Sequence, residues 1–170
     1  TTKWMGVAVR KIGDINGDGY DDLVIASHWH DQVYIIWGGP HHRTGARLSN
    51  QIDLNDIDNG DARLGIRIRT VNSSGNANTG GWFGAAVGPI KYKNSAVANK
   101  MVDLAIGDIE GTGGRGGAII IYGAQKPGDQ WQNIDIKRNN LGDWEIPAAT
   151  GAYIHPQMTA TNGPDKQIGR

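Results

Sequence analysis

A chain of 170 residues is long enough to bury the core of one ordinary domain. Its 17 Lys plus Arg are balanced by 17 Asp plus Glu, and no basic block recommends nucleic acid or an anionic membrane surface as a partner. No cysteine is present, which excludes disulfides, thiolate metal sites and thiol catalysis; there is also no signal peptide and no apolar run near the length of a membrane span, so membrane insertion is not expected.

The predicted elements are short strands separated by Gly, Asp and Asn. A small-residue strand, Gly6-Val7-Ala8-Val9, leads into the loop Asp14-Ile15-Asn16-Gly17-Asp18-Gly19-Tyr20-Asp21-Asp22 and then the apolar strand Leu23-Val24-Ile25-Ala26. His28-Trp29-His30 reads as a connecting loop before the strand Val33-Tyr34-Ile35-Ile36-Trp37, and Gln51-Ile52-Asp53-Leu54 reads as a fourth strand. The acidic stretch 53–61 is expected as a solvated loop with a turn at Asn59-Gly60, since it lacks the sixth-position glycine and following apolar strand of a calcium loop. Strands then recur at Gly84-Ala85-Ala86-Val87, Asp103-Leu104-Ala105-Ile106, Ile119-Ile120-Ile121-Tyr122 and Asn133-Ile134-Asp135-Ile136.

The second set repeats the first in order: 6–9 answers 84–87, 22–25 answers 103–106, 34–38 answers 119–123, and 51–54 answers 133–136. The spacing drifts while the order holds, as loop insertions do to a structural repeat. Runs of four to six apolar residues bounded by turn formers exclude a helical repeat. With Phe83-Gly84 opening the second unit and Met5-Gly6 the first, each unit resembles the FG-GAP repeat of integrin α chains and many secreted bacterial proteins. The Gly-Ala-Pro element survives only as Ala26-Ser27-His28 and Ile106-Gly107-Asp108, and the most specific segment is Gly13 to Ala26. The resemblance implies an all-β fold of two four-stranded antiparallel blades, about residues 4–80 and 82–165, with 166–170 opening a third, within a larger propeller of about seven blades. Two blades leave open sheet edges, so further blades are expected from the same longer chain or from other subunits; the start at Thr1 fits a piece of something longer.

The loop from Asp14 to Asp22 offers what calcium requires, oxygen donors at alternating positions around a glycine turn: Asp14, Asn16 and Asp18 by side chain, Tyr20 by its carbonyl, and Asp22 at the ninth position. An EF-hand opens the same way but needs a carboxylate at position twelve and a helix; Ile25 in an apolar strand stands there instead. The matching stretch of the second unit, 88–100, has no carboxylate and carries Lys91, Lys93 and Lys100, so one calcium ion per chain is expected.

In the family arrangement, the loops opposite the calcium rim are 27–32, 71–82 and 108–116, which bring Trp29, His30 and Trp82 to one surface suited to sugar stacking or protein contact. His28 and His30, with His41 and His42 nearby, were they on a strand, would share a face and suit a transition metal, but a loop context favours recognition. Asn72-Ser73-Ser74 is a glycosylation sequon, and the glycine-rich 111–117 lacks the ending of a phosphate loop. No nucleophile–base–orienter set is legible, so the chain is expected not to be an enzyme. The resemblance implies extracellular or cell-surface recognition or adhesion toward a protein or glycan ligand. A lectin-like module, a structural repeat of a surface filament or layer, and an accessory domain of a secreted hydrolase are the alternatives.

Overall fold

The computed structural model describes residues 5–39, 51–72, 74–78, 81–92, 101–109, 116–125, 128–138 and 144–154. Four strands form the first unit: β1 (Ala8–Gly13), β2 (Asp22–Ser27), β3 (Gln32–Ile36) and β4 (Gly65–Val71), each antiparallel to the next. The second unit repeats this with β5 (Phe83–Ile90), β6 (Asp103–Asp108), β7 (Gly117–Ile121) and a last strand, β10 (Gly151–Ile154), in the sheet order β10-β7-β6-β5. The fold is all-β with two sheets, of six and four strands.

The fourth strand of each unit is not where the sequence reading puts it. Residues 51–53 form no strand, and the acidic stretch behind them is a helix, α1 (Leu54–Asp58), capped by the Asp53 carboxylate on the Asn55 amide and anchored by buried Ile57. Asn59 and Gly60 form a turn, as expected, that closes that helix, their amides donating to the Asn55 and Ile57 carbonyls. The true fourth strands begin at Gly65 and Gly151, which face Ile36 and Ile121. A Cβ at either glycine would overlap a carbonyl oxygen of the neighbouring strand, that of Ile35 or of Ile120.

Residues 134–138 do form a strand, β8 (Ile134–Arg138), but it leaves its own unit and joins β4 of the first in parallel, with β9 (Trp144–Glu145) antiparallel outside it. This explains the six strands. The parallel pairing is held by side chains: Arg69 grips Asp135 through Nε at 2.7 Å and Nη2 at 2.8 Å, and that guanidinium lowers the Asp135 pKa. Arg67 bridges Asp58 at 3.2 Å and Asp135 at 3.5 Å, and the Tyr34 hydroxyl stands 2.7 Å from Asp58. Asp58 of α1 is thereby tied to β3 and β4.

One apolar core fills the space between the two sheets. Val24, Ala26, Val33, Ile35, Ile66 and Ile68 of the first unit meet Phe83, Leu104, Ile106, Ile119 and Ile121 of the second, with Trp131, Ile136 and Trp144 from the β7–β10 connection. The two units present opposite faces to this core. Leu104 and Ile106 hold the sequence positions of Leu23 and Ile25, whereas the first unit uses the alternate residues Val24 and Ala26.

Each second strand opens on a buried aspartate. Asp22 accepts from the Ile15 and Gly38 amides, and Asp103 accepts from the Tyr92 and Gly123 amides at 2.8 and 2.9 Å. Replacing Asp103 by alanine leaves two backbone donors without that acceptor; the expected loss is about 3 kcal/mol of stability in a urea titration. An unchanged midpoint counts against this role.

Candidate metal centre and the opposite loop surface

The loop between β1 and β2 is wound around its own acidic side chains. Gly17 and Gly19 adopt φ of 77° and 92°, which reverses the chain and points its amides inward. Asp14 Oδ1 accepts from the Gly17 amide at 2.6 Å and the Asp18 amide at 3.2 Å, while Oδ2 accepts from Gly19 at 2.8 Å. Asn16, whose side chain is buried, accepts from the Asp18 amide and donates through Nδ2 to Asp18 Oδ2, both at 3.0 Å. Asp18 Oδ1 in turn accepts from the Tyr20 amide at 2.9 Å. The Tyr20 ring is exposed, leaving its backbone as the part that belongs to the loop.

Asp22 completes the arrangement from below. Burial raises its pKa to about 6; the Gly38 and Ile15 amides oppose that rise, and the charges of Asp18 and Asp14 add to it. The charges of Asp14 and Asp18 thus work against ionisation of Asp22, an effect that a hard cation would relieve. Among the described residues no three His, Asp or Glu side chains stand close enough together to count as a formed metal cluster. The donor set is of the right chemistry, with its oxygens turned to amide donors; Asp14 Oδ1 takes two of them, while Asp14 Oδ2 and both Asp18 oxygens each take one among these bonds and keep a second lone pair.

The loop is also fixed from outside. The Asp14 carbonyl accepts from the Val102 amide and the Ile15 carbonyl from the Ala124 amide, both at 3.0 Å, so the second unit grips it. At the matching place in the second unit, Asp103 serves its two amides, and Lys91 is the one charged residue of the stretch among the described residues. Residues 93–100, on which the expectation of a single site partly rests, lie outside the described residues, as do His41, His42, 111–115 and 166–170.

On the opposite side, His28–His30 form a single 3-10 turn, so the two imidazoles do not share a strand face. Trp29 and Trp82 are both exposed, and the ring between them is His28: its centroid is 4.7 Å from Trp82 and 6.1 Å from Trp29, edge-on to the latter. His30 turns instead toward the Ser27 hydroxyl at 3.2 Å. Trp29 and Trp82 are thus linked through His28, whereas His30, the imidazole the sequence reading places with them, is turned to Ser27. His28 Nδ1 is buried without a hydrogen-bond partner. Asn72 of the sequon is exposed, and its amide oxygen accepts from the Ser74 and Asn76 amides.

The residue that sequence reasoning missed is Asp31. Its buried carboxylate spans the two loops, accepting from Gly81 at 3.0 Å and Phe83 at 3.1 Å, one on each side of Trp82. Trp82 is held between them at φ 61°, a conformation rare for a bulky residue. The available signal was a carboxylate placed between a turn and an apolar strand. Asp31→Ala is expected to speed hydrogen exchange at the Gly81 and Phe83 amides while leaving Ile15 and Gly38 protected; equal protection in both proteins rules the clamp out.

Comparison with known proteins bears on the first unit. No curated protein matches the chain, and residues 12–42, which contain the acidic loop, β2, the histidine turn and β3, match the family model described as FG-GAP repeat.

Proposed function

We propose that the chain is a calcium-binding, non-enzymatic recognition or adhesion module of an integrin-α-like β-propeller, working outside the cell. The observation that carries this reading is the acidic loop inside the segment that matches the FG-GAP repeat, where Asp14, Asn16 and Asp18 bind the loop's amides and Asp22 lies buried at its end. Their side chains and the Tyr20 carbonyl would hold the ion, whose charge would offset the mutual repulsion of the carboxylates and stiffen the junction with the second unit. Among the described residues no helix is long and apolar enough to cross a membrane.

An exposed loop of this charge suggests affinity on the order of 0.1–1 mM. Millimolar calcium then stabilises the fold by about 1 kcal/mol. A melting titration is expected to show one site, lost in Asp18→Ala; no shift, or two independent sites, contradicts the reading.

The ligand-contacting surface in this reading is the far side, where Trp29 and Trp82 flank His28. Two exposed indoles, that of Trp82 flanked by the Asp31 clamp, suit either a protein hot spot or a sugar ring, and the second function reading, a lectin-like module, rests on the same pair. A glycan array and a protein-interaction screen separate the two. With the ligand so found, Trp29→Ala is expected to weaken binding by about 2 kcal/mol while leaving calcium affinity unchanged. Unchanged ligand binding, together with loss of binding in a folded Asp18→Ala protein, would move the contact to the ion.

A further inference from the structure

The internal contact between the two units leaves the complementary halves of the same contact unused. Across that contact, the second unit contributes Val87, Leu104 and the strand residue Ile134, all packed into the shared core. Their counterparts by repeat position in the first unit are Val9, Leu23 and Ile52, and these lie 50%, 36% and 40% exposed. On the accepting side, Ile68 of β4 is fully buried opposite Ile134. The counterpart of Ile68 is Ile154 of β10, which is 49% exposed on a strand that ends its sheet among the described residues. Ala105, Ala118 and Ala152, at the positions of Val24, Val33 and Ile66, are only half-buried beside it.

We infer that a second copy of this chain occupies these surfaces. Gln51–Asp53 of one copy adds in parallel to β10 of the next, setting Ile52 on Ile154, while Val9 and Leu23 settle on the alanine face of the second unit. The operation is the one the molecule already performs internally, where β8 adds to β4 with Ile134 opposite Ile68. The chain carries both halves, they are apolar on both sides, and its net charge is zero, so no long-range repulsion opposes the approach. The contact is heterologous, head to tail, and therefore grows into a ring if its rotation closes and a filament if it does not. The calcium loop sits at the internal contact and takes no part, so this inference and the calcium reading fail separately.

Sedimentation velocity across a concentration series of the 170-residue chain tests it. The wild-type protein is expected to shift to larger species with concentration, and Ile52→Asp and Ile154→Asp, both at exposed positions and so compatible with folding, are each expected to abolish the shift. An equimolar mixture of the two variants is the decisive arm. Each then retains the half the other has lost, and the mixture is expected to give a 1:1 dimer that grows no further. A wild-type chain that stays monomeric throughout, single variants that associate like the wild type, or a mixture that fails to dimerise each overturns the proposal. Circular dichroism melts of both variants that superimpose on the wild type show that the loss is one of contact rather than fold.

Discussion

Two carboxylates without access to solvent, those of Asp22 and Asp103, fix the geometry on which both units depend. Each accepts one amide from the segment leaving the first strand and one from the glycine after the third, so three chain segments converge on one side chain. The glycine is required because a Cβ at Gly38 would overlap the Asp21 carbonyl oxygen and one at Gly123 that of Val102. Burying a charge is costly unless hydrogen bonds compensate it, and here they come from backbone that must converge in any case. The same economy of parts appears at Asp31, which ties the turn before β3 to the loop before β5.

From this junction the division of labour follows. Around Asp22, the first unit adds Asp14, Asn16 and Asp18, and the structural aspartate becomes the floor of an acidic loop; burial raises its pKa, and the charges of Asp18 and Asp14 add to the rise. The second unit keeps the aspartate without those neighbours among its described residues. A repeat can thus keep its structural carboxylate without the acidic loop that surrounds it in the first unit. On the far side, the buried Asp31 clamp leaves the Trp82 indole exposed beside His28, an arrangement that spends backbone strain to present an aromatic face.

Much of this was legible in local sequence. The acidic loop, the glycines and the β-branched runs of β2, β3, β6 and β7 depend on near neighbours, and they fall where their residue types place them. The correspondence between 51–54 and 133–136 points to a fourth strand in each unit, yet Ile134 crosses to the other unit and pairs in parallel, a choice set by distant partners that leaves no local mark. The actual fourth strand was visible as the alternation Ile66-Arg67-Ile68-Arg69, with isoleucines inward and arginines toward Asp58 and Asp135. His28 rather than His30 faces Trp82 because the segment turns as a 3-10 unit, which the spacing of the histidines alone does not reveal.

The central claim is that one junction is built twice and that only the first copy has been elaborated into a cation loop. Backbone amide NMR during a calcium titration addresses it directly, because the amides of both junctions report separately. The account predicts that Gly17, Asp18, Gly19 and Tyr20, whose amides now donate to Asp14, Asn16 and Asp18, shift together and saturate with a single affinity, while Tyr92 and Gly123 beside Asp103 stay in place. Equal shifts at the two junctions, or a loop whose amides do not respond, would contradict it.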